Sequence, residues 1–561
     1  MEHRRDEYRV RASKKSSTAD VTVSMRKERR DMLHKRIRLR DYNVNTNNTI
    51  INNEQHTYEQ QHEEEQMNVY DSEGMDSILS SIVCSIQDPS TATKLHGLMK
   101  LRQLTCTSNW PVDRVIGTGV IEYVISLLTS SDHNIQYEAI WCLTNIASGD
   151  HRQTTIVLKA VPVLLQILGG TNPNLQDQAS WTIGNIAGDS DEFRHVLIAN
   201  GAVKPLVDYA LASAAASVST QHNETCDRAR TAAWALSNLT RGATPAAEFM
   251  NLNAMSSFIA LMVTHTDKKL VAEICWIFAF LSAKEIESVE KLVELELIQA
   301  LISVVEASDY STLEPVPALR CLGNLSSGLL PWIDVILNRP TFLSSLARIG
   351  SLPCTLPDYA IVLKEVLRLV ANIFGGTPIH RQILVGNSML EMLIRALSFD
   401  SFDTQREAVR GLQNACEDSG VIERIASEVS VLKLLTKLMK APDISMALCC
   451  MRIVRVVLVQ FNDLIEVCAK DGLFDILDEL HYTNTDVDIC RTAAAMSDEL
   501  CELFEDTDLT SYEPNDKGDK EDSFAFNTKT TEGMAVFSSG GNGGRGGGRG
   551  QHLLKPSWMT E

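Results

Sequence analysis

One short pattern recurs along the middle of this chain and restricts its fold more than any other feature. Each copy places Trp or Arg four residues before Asn, as in WCLTN, WTIGN, WALSN, RCLGN, RLVAN and RGLQN, while one copy, WIFAF, ends in Phe. The copies begin at Trp141, Trp181, Trp234, Trp276, Arg320, Arg368 and Arg410, at intervals of 40, 53, 42, 44, 48 and 42 residues. A period near 42 is typical of armadillo repeats and, less well, of HEAT repeats, whose units bury their apolar faces only by stacking on one another.

The segments between the copies carry apolar residues at helical spacing. GVIEYVISLL (119–128), SMLEMLIRALS (388–398) and SVLKLLTKLM (430–439) are examples, and each predicts an amphipathic helix. The sequence therefore predicts an all-α, right-handed superhelical solenoid of about ten armadillo repeats across 73–507. Glycines after the copies, at 149, 188, 242, 328 and 375, predict left-handed helix caps. The interval of 53 residues between Trp181 and Trp234 exceeds the period, and we attribute the excess to a Ser/Ala/Thr-rich insertion near 213–222, which is predicted to form a loop.

Composition changes on both sides of the array. Residues 1–40 hold fourteen Lys/Arg and six Asp/Glu, a balance of +8, so the rest of a chain with net charge −20 carries −28. A basic arm on an acidic body predicts that the two attract each other or that the arm binds an acidic partner. We predict a basic segment at 1–42, a flexible Asn/Gln/Glu-rich linker at 43–72, and a disordered tail at 508–561 that is acidic and then Gly/Arg-rich.

Several classes of protein lack support in the sequence. It has no Walker loop, HExxH or G-x-S-x-G motif, so no catalytic residue, cofactor or enzymatic activity is predicted. The thirteen cysteines have no metal-ligand spacing, and most lie in apolar helical runs, which indicates buried, reduced thiols and no metal site. The start is not a secretory signal, and no uncharged apolar run is long enough to span a membrane, so we expect a soluble intracellular protein without membrane insertion.

The recurring pattern has a chemistry of its own. Positions i and i+4 share one helix face, so each Trp and its Asn project together and stacked repeats align the pairs along a groove. Indole faces bind Lys or Arg side chains through cation–π contacts worth about 0.5–2 kcal/mol. An Asn amide can hold an extended peptide main chain whatever its sequence. The structural alternative is that each Trp is a core residue and each Asn caps a helix end.

The motifs resemble those of the importin-α (karyopherin-α) family over nearly the whole chain. WTIGNIAGD (181–189) and WALSN resemble its signature repeats, and VTVSMRKERRDMLHKRIRLRD (21–41) resembles its importin-β-binding segment. The order of basic arm, linker and repeats matches as well. The resemblance implies a nuclear import adaptor that binds basic nuclear localisation signals in the groove and links this cargo to importin-β.

The family's major cargo site, carried over by position, falls on the first four copies of the pattern. The implied residues are Trp141, Asn145, Gly149, Thr154, Gln178, Trp181, Asn185, Asp189, Trp234, Asn238, Glu273 and Trp276. Within this set, the Gly149 carbonyl, the Thr154 hydroxyl and the Asp189 carboxylate would form the pocket for the key lysine. Asp189 could instead be the N-cap of the next helix. Glu273 stands where the family usually has Asp, which keeps the charge but extends it by a methylene.

The family's minor cargo site departs further from the pattern. Arg368 and Arg410 stand at two positions where the family has tryptophan. Arg320, one repeat earlier, stands where the family also has arginine. The corresponding residues are Arg320, Asn324, Glu365, Arg368, Asn372, Glu407, Arg410 and Asn414. Arginine repels an incoming Lys or Arg, so we predict a degenerate second site and a preference for signals with one basic cluster. Glu365 and Glu407, three residues before their arginines, are predicted to neutralise them.

The basic arm is predicted to be helical when it binds and disordered otherwise. The residues proposed for importin-β binding and for autoinhibition are Arg26, Lys27, Arg29, Arg30, Lys35, Arg36, Arg38 and Arg40. Lys35-Arg36-Ile37-Arg38 matches the form of a localisation signal and could occupy the chain's own groove. The alternatives are an arm that binds nucleic acid, although no specific nucleic acid is expected, or a signal for the chain's own import.

The resemblance implies further partners and a location. These are cargo proteins with Lys/Arg-rich signals, a recycling exportin with Ran-GTP that would bind near RTAAAMSDELCELFED (491–506), and, indirectly, the nuclear pore, with shuttling between cytoplasm and nucleus. The rival class is an armadillo scaffold of the β-catenin kind, which lacks the Trp–Asn series and the arm. The GGNGGRGGGRG tail is interpreted as flexible, with weak RNA contact as its alternative.

Overall fold

The structure is a computed structural model that describes residues 72–106, 112–220, 223–310, 312–353, 355–356 and 358–510. Within these residues every regular element is an α- or 3₁₀-helix. The chain divides after Asp508, and the stack described below belongs to the first unit. The predicted arm residues between Arg26 and Arg40, the linker up to residue 71 and the tail from residue 511 lie outside the described part.

The α-helices follow one another with short connections. In chain order they are α1 Ser72–Gln87, α2 Thr91–Cys106, α3 Val112–Gly117, α4 Val120–Ser126, α5 His133–Ala147, α6 His151–Val157, α7 Val161–Leu168, α8 Pro173–Asp189, α9 Asp191–Ala199, α10 Val203–Thr220, α11 Asn223–Thr240, α12 Leu252–Thr264, α13 Lys268–Leu281, α14 Ile286–Glu294, α15 Leu297–Ala307, α16 Val316–Ser326, α17 Leu330–Leu337, α18 Pro340–Gly350, α19 Tyr359–Phe374, α20 Pro378–Gly386, α21 Met389–Ala396, α22 Phe402–Ala415, α23 Ser419–Ala426, α24 Val429–Leu438, α25 Ile444–Gln460, α26 Ile465–Lys470, α27 Leu473–Thr483 and α28 Val487–Thr510. Short 3₁₀-helices lie at Leu127–Thr129, Leu158–Ala160, Ala246–Phe249 and Asn462–Leu464.

The last helix of each repeat forms a continuous stack, and we call these helices the ladder helices. They are α2, α5, α8, α11, α13, α16, α19, α22, α25 and α28, and from α2 to α25 each one packs on the next. The helical solenoid predicted from the period, with about ten repeats, is therefore confirmed.

Several ladder helices begin at a side chain that accepts a hydrogen bond from the first turn. The capping residues are Asp132, Asn172, Asp267, Ser401 and Asp443. Each cap satisfies a backbone N–H group that has no partner inside the helix, which is worth about 1 kcal/mol. These caps fix where each ladder helix starts, and so fix the register of the residues that follow.

One apolar core runs through the stack. Its buried residues extend without a break from Leu79 to Leu500, as expected when each unit covers the apolar face of its neighbour. The three amphipathic runs form α4, α21 and α24 and are confirmed as helices. The cysteines predicted to be buried, Cys142, Cys275, Cys321, Cys449 and Cys450, are buried free thiols.

Two local predictions were wrong. The insertion near 213–222 does not form a loop through its described part, because α10 continues to Thr220. Its alanines favour a helix, and Ser213, Ala214 and Ser217 are buried. Of the glycines predicted as left-handed caps, only Gly242 has a positive φ, at 67°.

In the described part, no single helix has both the length and the hydropathy to cross a membrane. Ile444–Gln460 and the following Asn462–Lys470 satisfy that test only as a pair, and they are bent by 117°.

Candidate functional site

The four predicted tryptophans lie on four consecutive ladder helices, α5, α8, α11 and α13. Trp141, Trp181 and Trp234 are 3%, 7% and 3% exposed, and Trp276 is half-buried. The Trp234 ring packs on Gly184 of the preceding ladder helix so closely that a Cβ atom there would lie 2.2 Å from its Cζ3 atom. Glycine is therefore required at 184 for the indole to reach this position. The predicted contact of these indoles with cargo stays a prediction.

The predicted asparagines join neighbouring ladder helices. Each donates its side-chain amide N–H to a backbone carbonyl of the preceding ladder helix. The pairs are Asn145 with Arg102 (3.2 Å), Asn185 with Thr144 (3.0 Å), Asn238 with Gly184 (3.1 Å), Asn324 with Ala279 (2.9 Å), Asn372 with Gly323 (2.7 Å) and Asn414 with Ala371 (2.7 Å). The acceptors are fixed by the repeat register, so these bonds hold adjacent repeats in line. Their predicted role toward a peptide stays a prediction.

An additional arginine, which the sequence analysis missed, covers the first tryptophan. Arg102 on α2 places its guanidinium carbon 4.2 Å from the Trp141 ring centroid, and its Nε atom lies 2.7 Å from Glu138 Oε2. Arg102 lies 39 residues before Trp141 and holds the same repeat position, but its copy of the pattern ends in Cys106 instead of Asn. The series of Trp or Arg side chains on the ladder helices therefore begins one repeat earlier than predicted.

A second arginine covers the last tryptophan of the series. The Arg320 guanidinium carbon lies 5.1 Å from the Trp276 ring centroid. Its Nη2 atom donates to Glu365 Oε1 at 2.6 Å. At each end of the run of four indoles, a guanidinium of the same chain thus stacks on the outermost tryptophan. Each of these guanidinium groups is also paired with a buried carboxylate.

Glu365 is shared by two arginines of the predicted minor site. Besides Arg320, its other oxygen lies 3.3 Å from Arg368 Nη1. Burial opposes ionisation of Glu365, but Arg320 and Arg368 outweigh it and lower the pKa to about 2. Arg368 also donates to Asn324 Oδ1 and, at 3.2 Å, to the Arg320 carbonyl. These arginines are thus held by groups of the protein itself.

Glu407 holds the equivalent position in the next repeat but has weaker partners. Arg410 Nη1 and Arg406 Nε lie 3.6 and 3.7 Å from its Oε1 atom, beyond hydrogen-bonding distance. Burial raises its pKa to about 7, although Arg368 and Arg406 oppose the shift. The charge of the Glu407 carboxylate is therefore less well compensated than that of Glu365.

The residues of the predicted lysine pocket come from three neighbouring segments. Gly149 follows α5, Thr154 lies on α6, and Asp189 is the last residue of α8. Thr154 is fully buried and its hydroxyl donates to the Asp150 carbonyl at 3.0 Å. Asp189 is not the N-cap of α9, because Ser190 caps that helix. Its lysine-binding role stays a prediction.

The Asp189 carboxylate, whose side chain is 6% exposed, contacts a residue that the sequence analysis did not single out. His151 Nδ1 lies 2.5 Å from Asp189 Oδ1. The hydrogen bond to Asp189 raises the pKa of His151 above its ordinary value, and burial opposes this only in part.

Two further residues of the predicted major site also lie on ladder helices. Gln178 on α8 is buried, and its Nε2 atom donates to Thr144 Oγ1 at 2.8 Å, a contact between adjacent ladder helices. Glu273 on α13 is half-buried.

A lysine of the chain itself fills a pocket at an equivalent repeat position. Lys284 follows Trp276 by eight residues, as Asp189 follows Trp181. Its Nζ atom donates to the carbonyls of Gly242 (3.1 Å) and Thr244 (2.5 Å) and lies 2.9 Å from the Thr244 hydroxyl. Burial lowers its pKa to about 8. The ends of ladder helices can therefore hold an ammonium group with carbonyl and hydroxyl oxygens, the groups predicted at Gly149 and Thr154.

Sequence and structure comparisons agree with this architecture. The family model for the Armadillo/beta-catenin-like repeat matches residues 111–148 and 150–188. An engineered protein of known crystal structure superposes with a TM-score of 0.62 at 22% identity, covering 76% of this chain and 98% of that one. The stacked helices and this match define the chain as an armadillo-repeat protein.

Proteins with similar sequences indicate a narrower class within the armadillo-repeat proteins. Importin subunit alpha-2 of Oryza sativa subsp. japonica is 34% identical over 58% of this chain and 60% of its own length. Importin subunit alpha-9 of Arabidopsis thaliana is 28% identical over 76% of this chain and 82% of its own length. Importin subunit alpha-1b of Oryza sativa subsp. japonica is matched over 45% of its length at 28% identity. The chain thus spans less than two thirds of the length of the first of these relatives. These relatives support the resemblance of the chain to the importin-α family.

Proposed function

We propose that this protein is a nuclear import adaptor, with no enzymatic activity, that binds Lys/Arg-rich localisation signals along the run of four tryptophans. Residues 1–42 would connect the cargo to importin-β. The protein would shuttle between cytoplasm and nucleus.

The observation that carries this proposal is the arginine stacked on Trp141. Arg102 lies on an indole face with its charge paired to Glu138, an arrangement that a basic side chain of a cargo peptide would need. Arg320 repeats it on Trp276 with Glu365. Two arginines of the chain itself make the kind of contact that is proposed for cargo, because a guanidinium gains both a cation–π contact and an ion pair there.

The pocket around Asp189 supports the lysine preference. It combines a nearly buried carboxylate with helix-end oxygens like those that surround Lys284. A lysine brought to Asp189 would gain a charge-assisted hydrogen bond in a poorly solvated place, which is stronger than one in water.

The arm supplies a release mechanism in this proposal. Lys35-Arg36-Ile37-Arg38 would occupy the groove when importin-β is absent and leave it when importin-β binds residues 1–42. A recycling exportin with Ran-GTP would bind the last repeat, and passage through the nuclear pore would be indirect. These partners are proposed from the similarity to importin-α subunits.

Removal of the arm tests groove and autoinhibition together. A fluorescent basic peptide should bind a chain that begins at Ser72, where α1 starts, about tenfold or more tighter than the full chain, because the tethered arm competes at a high effective concentration. Fluorescence anisotropy gives both affinities. Equal affinities would disprove autoinhibition, and absence of binding to both chains would disprove the adaptor function.

The arginine-lined half is proposed to bind a second basic cluster poorly. We expect a peptide with two clusters to bind the chain from Ser72 less than about threefold tighter than a peptide with one, whereas two working sites raise affinity by 10²–10⁴. Calorimetry with Lys→Ala peptides measures the difference. A large gain that disappears when either cluster is replaced would contradict a degenerate second site.

A further inference from the structure

His151 is held in the predicted lysine pocket by two contacts. Its ring stacks on Phe193 of α9, with centroids 4.6 Å apart and an angle of 6° between the planes, and its Nδ1 atom contacts Asp189 at 2.5 Å. Phe193 is buried, so it provides a fixed surface for the ring. The His151 side chain is 58% exposed and exchanges protons with solvent.

Three carboxylates act on the charge of His151. Asp189 comes from α8, Glu192 from α9 and Asp150 from the start of its own helix, and each favours the protonated ring. The neighbouring Arg152 is paired with Asp113 at 2.5 Å, and Arg194 on α9 is paired with Asp191 at 2.5 Å. Both arginines thus have carboxylate partners of their own.

From this geometry we infer that His151 competes with the cargo lysine for Asp189, which makes cargo binding dependent on pH. This inference rests on the proposed function. A protonated His151 and a lysine ammonium at one carboxylate repel each other, so bound lysine lowers the pKa of His151 and the ring releases a proton. By linkage, the peptide binds more weakly below the pKa of His151 and more tightly as pH rises through it.

Calorimetry can detect the released proton directly. The full chain carries Lys35→Ala and Arg36→Ala in every sample, which removes the predicted competing cluster of the arm. The peptide Gly-Lys-Lys-Lys-Arg-Lys-Gly is titrated at pH 6, 7 and 8 in two buffers of different ionisation enthalpy. We expect proton release in the pH range between the pKa values of His151 in the bound and the free chain, and an affinity that rises from pH 6 to 8 by up to about tenfold for each unit by which lysine lowers the pKa of His151.

Two variants identify the source of the effect. His151→Ser should abolish the proton release, flatten the pH dependence and bind the peptide more tightly at pH 6. His195→Ser is the matched control, since His195 is exposed on α9 and its Nδ1 atom contacts the Asp191 carbonyl at 2.7 Å, and it should behave as the parent chain does.

Each other outcome is informative. If His151→Ser keeps the pH profile, or shifts affinity equally at every pH, the competition is disproved while the peptide still binds and the proposed function stands. If no chain binds the peptide at any pH, the proposed function fails and this inference fails with it.

Discussion

Glu365→Gln is expected to lower the free energy of unfolding by about 3–5 kcal/mol at pH 7, because it removes the buried negative charge that Arg320 and Arg368 share. The Glu365 carboxylate is buried and lies 2.6 and 3.3 Å from the two guanidinium groups. Glutamine keeps the shape but removes the negative charge that both guanidinium groups contact. Urea unfolding followed by circular dichroism measures the change.

Glu407→Gln is the matched control from the next repeat. Glu407 has the same position relative to Arg410, but its nearest guanidinium nitrogens lie at 3.6 and 3.7 Å, so ionisation there is poorly compensated. Removal of its charge should cause no loss of stability at pH 8 and a gain on the order of 1–3 kcal/mol.

The two variants should differ in the sign of their pH dependence. The pKa of Glu365 is lowered from 4.5 to about 2, so its contribution to stability is complete above pH 4.5 and is lost as pH falls toward 2. The pKa of Glu407 is raised from 4.5 to about 7, so its ionisation reduces stability as pH rises from 4.5 to 7. Equal effects of both variants at pH 8 would contradict this assignment of charge.

The repeat period predicted the helical solenoid and the number of its repeats because each unit carries its own local signals. Apolar residues at helical spacing and a capping side chain such as Asp267 act within one helix, and both are visible in the sequence. The insertion near 213–222 was misassigned because its interval departs from the period, while its alanines follow helix propensity.

Partners from different repeats were harder to predict. Glu365 was singled out as a partner of Arg368 in its own helix, yet its shorter contact is with Arg320, 45 residues earlier. Arg102 was missed because its copy of the pattern has neither Trp nor Asn. His151 and Lys284 carry no motif, and their positions follow only from the way α6 meets α8 and the end of α13 meets Gly242. Such contacts depend on the register between helices, which the period fixes only approximately.

Arginine–carboxylate pairs at both ends limit the run of four indoles. Arg102 with Glu138 covers one outer face and Arg320 with Glu365 covers the other. In the proposed function, the positions for basic side chains of a cargo protein would thereby be confined to the stretch between Trp141 and Trp276. A binding stretch of this length would suit one basic cluster, in agreement with the proposed weakness of the second site.

Asp189→Asn is expected to weaken binding of a lysine-rich peptide to the chain from Ser72 by about 30- to 1000-fold, equivalent to 2–4 kcal/mol. The proposed lysine would lose its only carboxylate partner in a pocket whose other members are oxygen atoms without net charge. The fold should be unaffected, because Ser190 rather than Asp189 caps α9. Thermal unfolding verifies that the variant is folded, and anisotropy or calorimetry gives the affinity.

Asp208→Asn is the control that distinguishes a local effect at the Asp189 pocket from the long-range attraction of a negatively charged protein for a basic peptide. It changes the net charge equally, but Asp208 is 60% exposed on α10 and pairs with Lys204 one turn away. We expect it to alter peptide affinity by less than about twofold, since exposed charges are screened within a Debye length of about 8–10 Å. A similar loss in both variants would indicate long-range attraction alone. An unchanged affinity in Asp189→Asn would show that the key lysine binds elsewhere, because no other proposed pocket residue carries the charge to compensate for it.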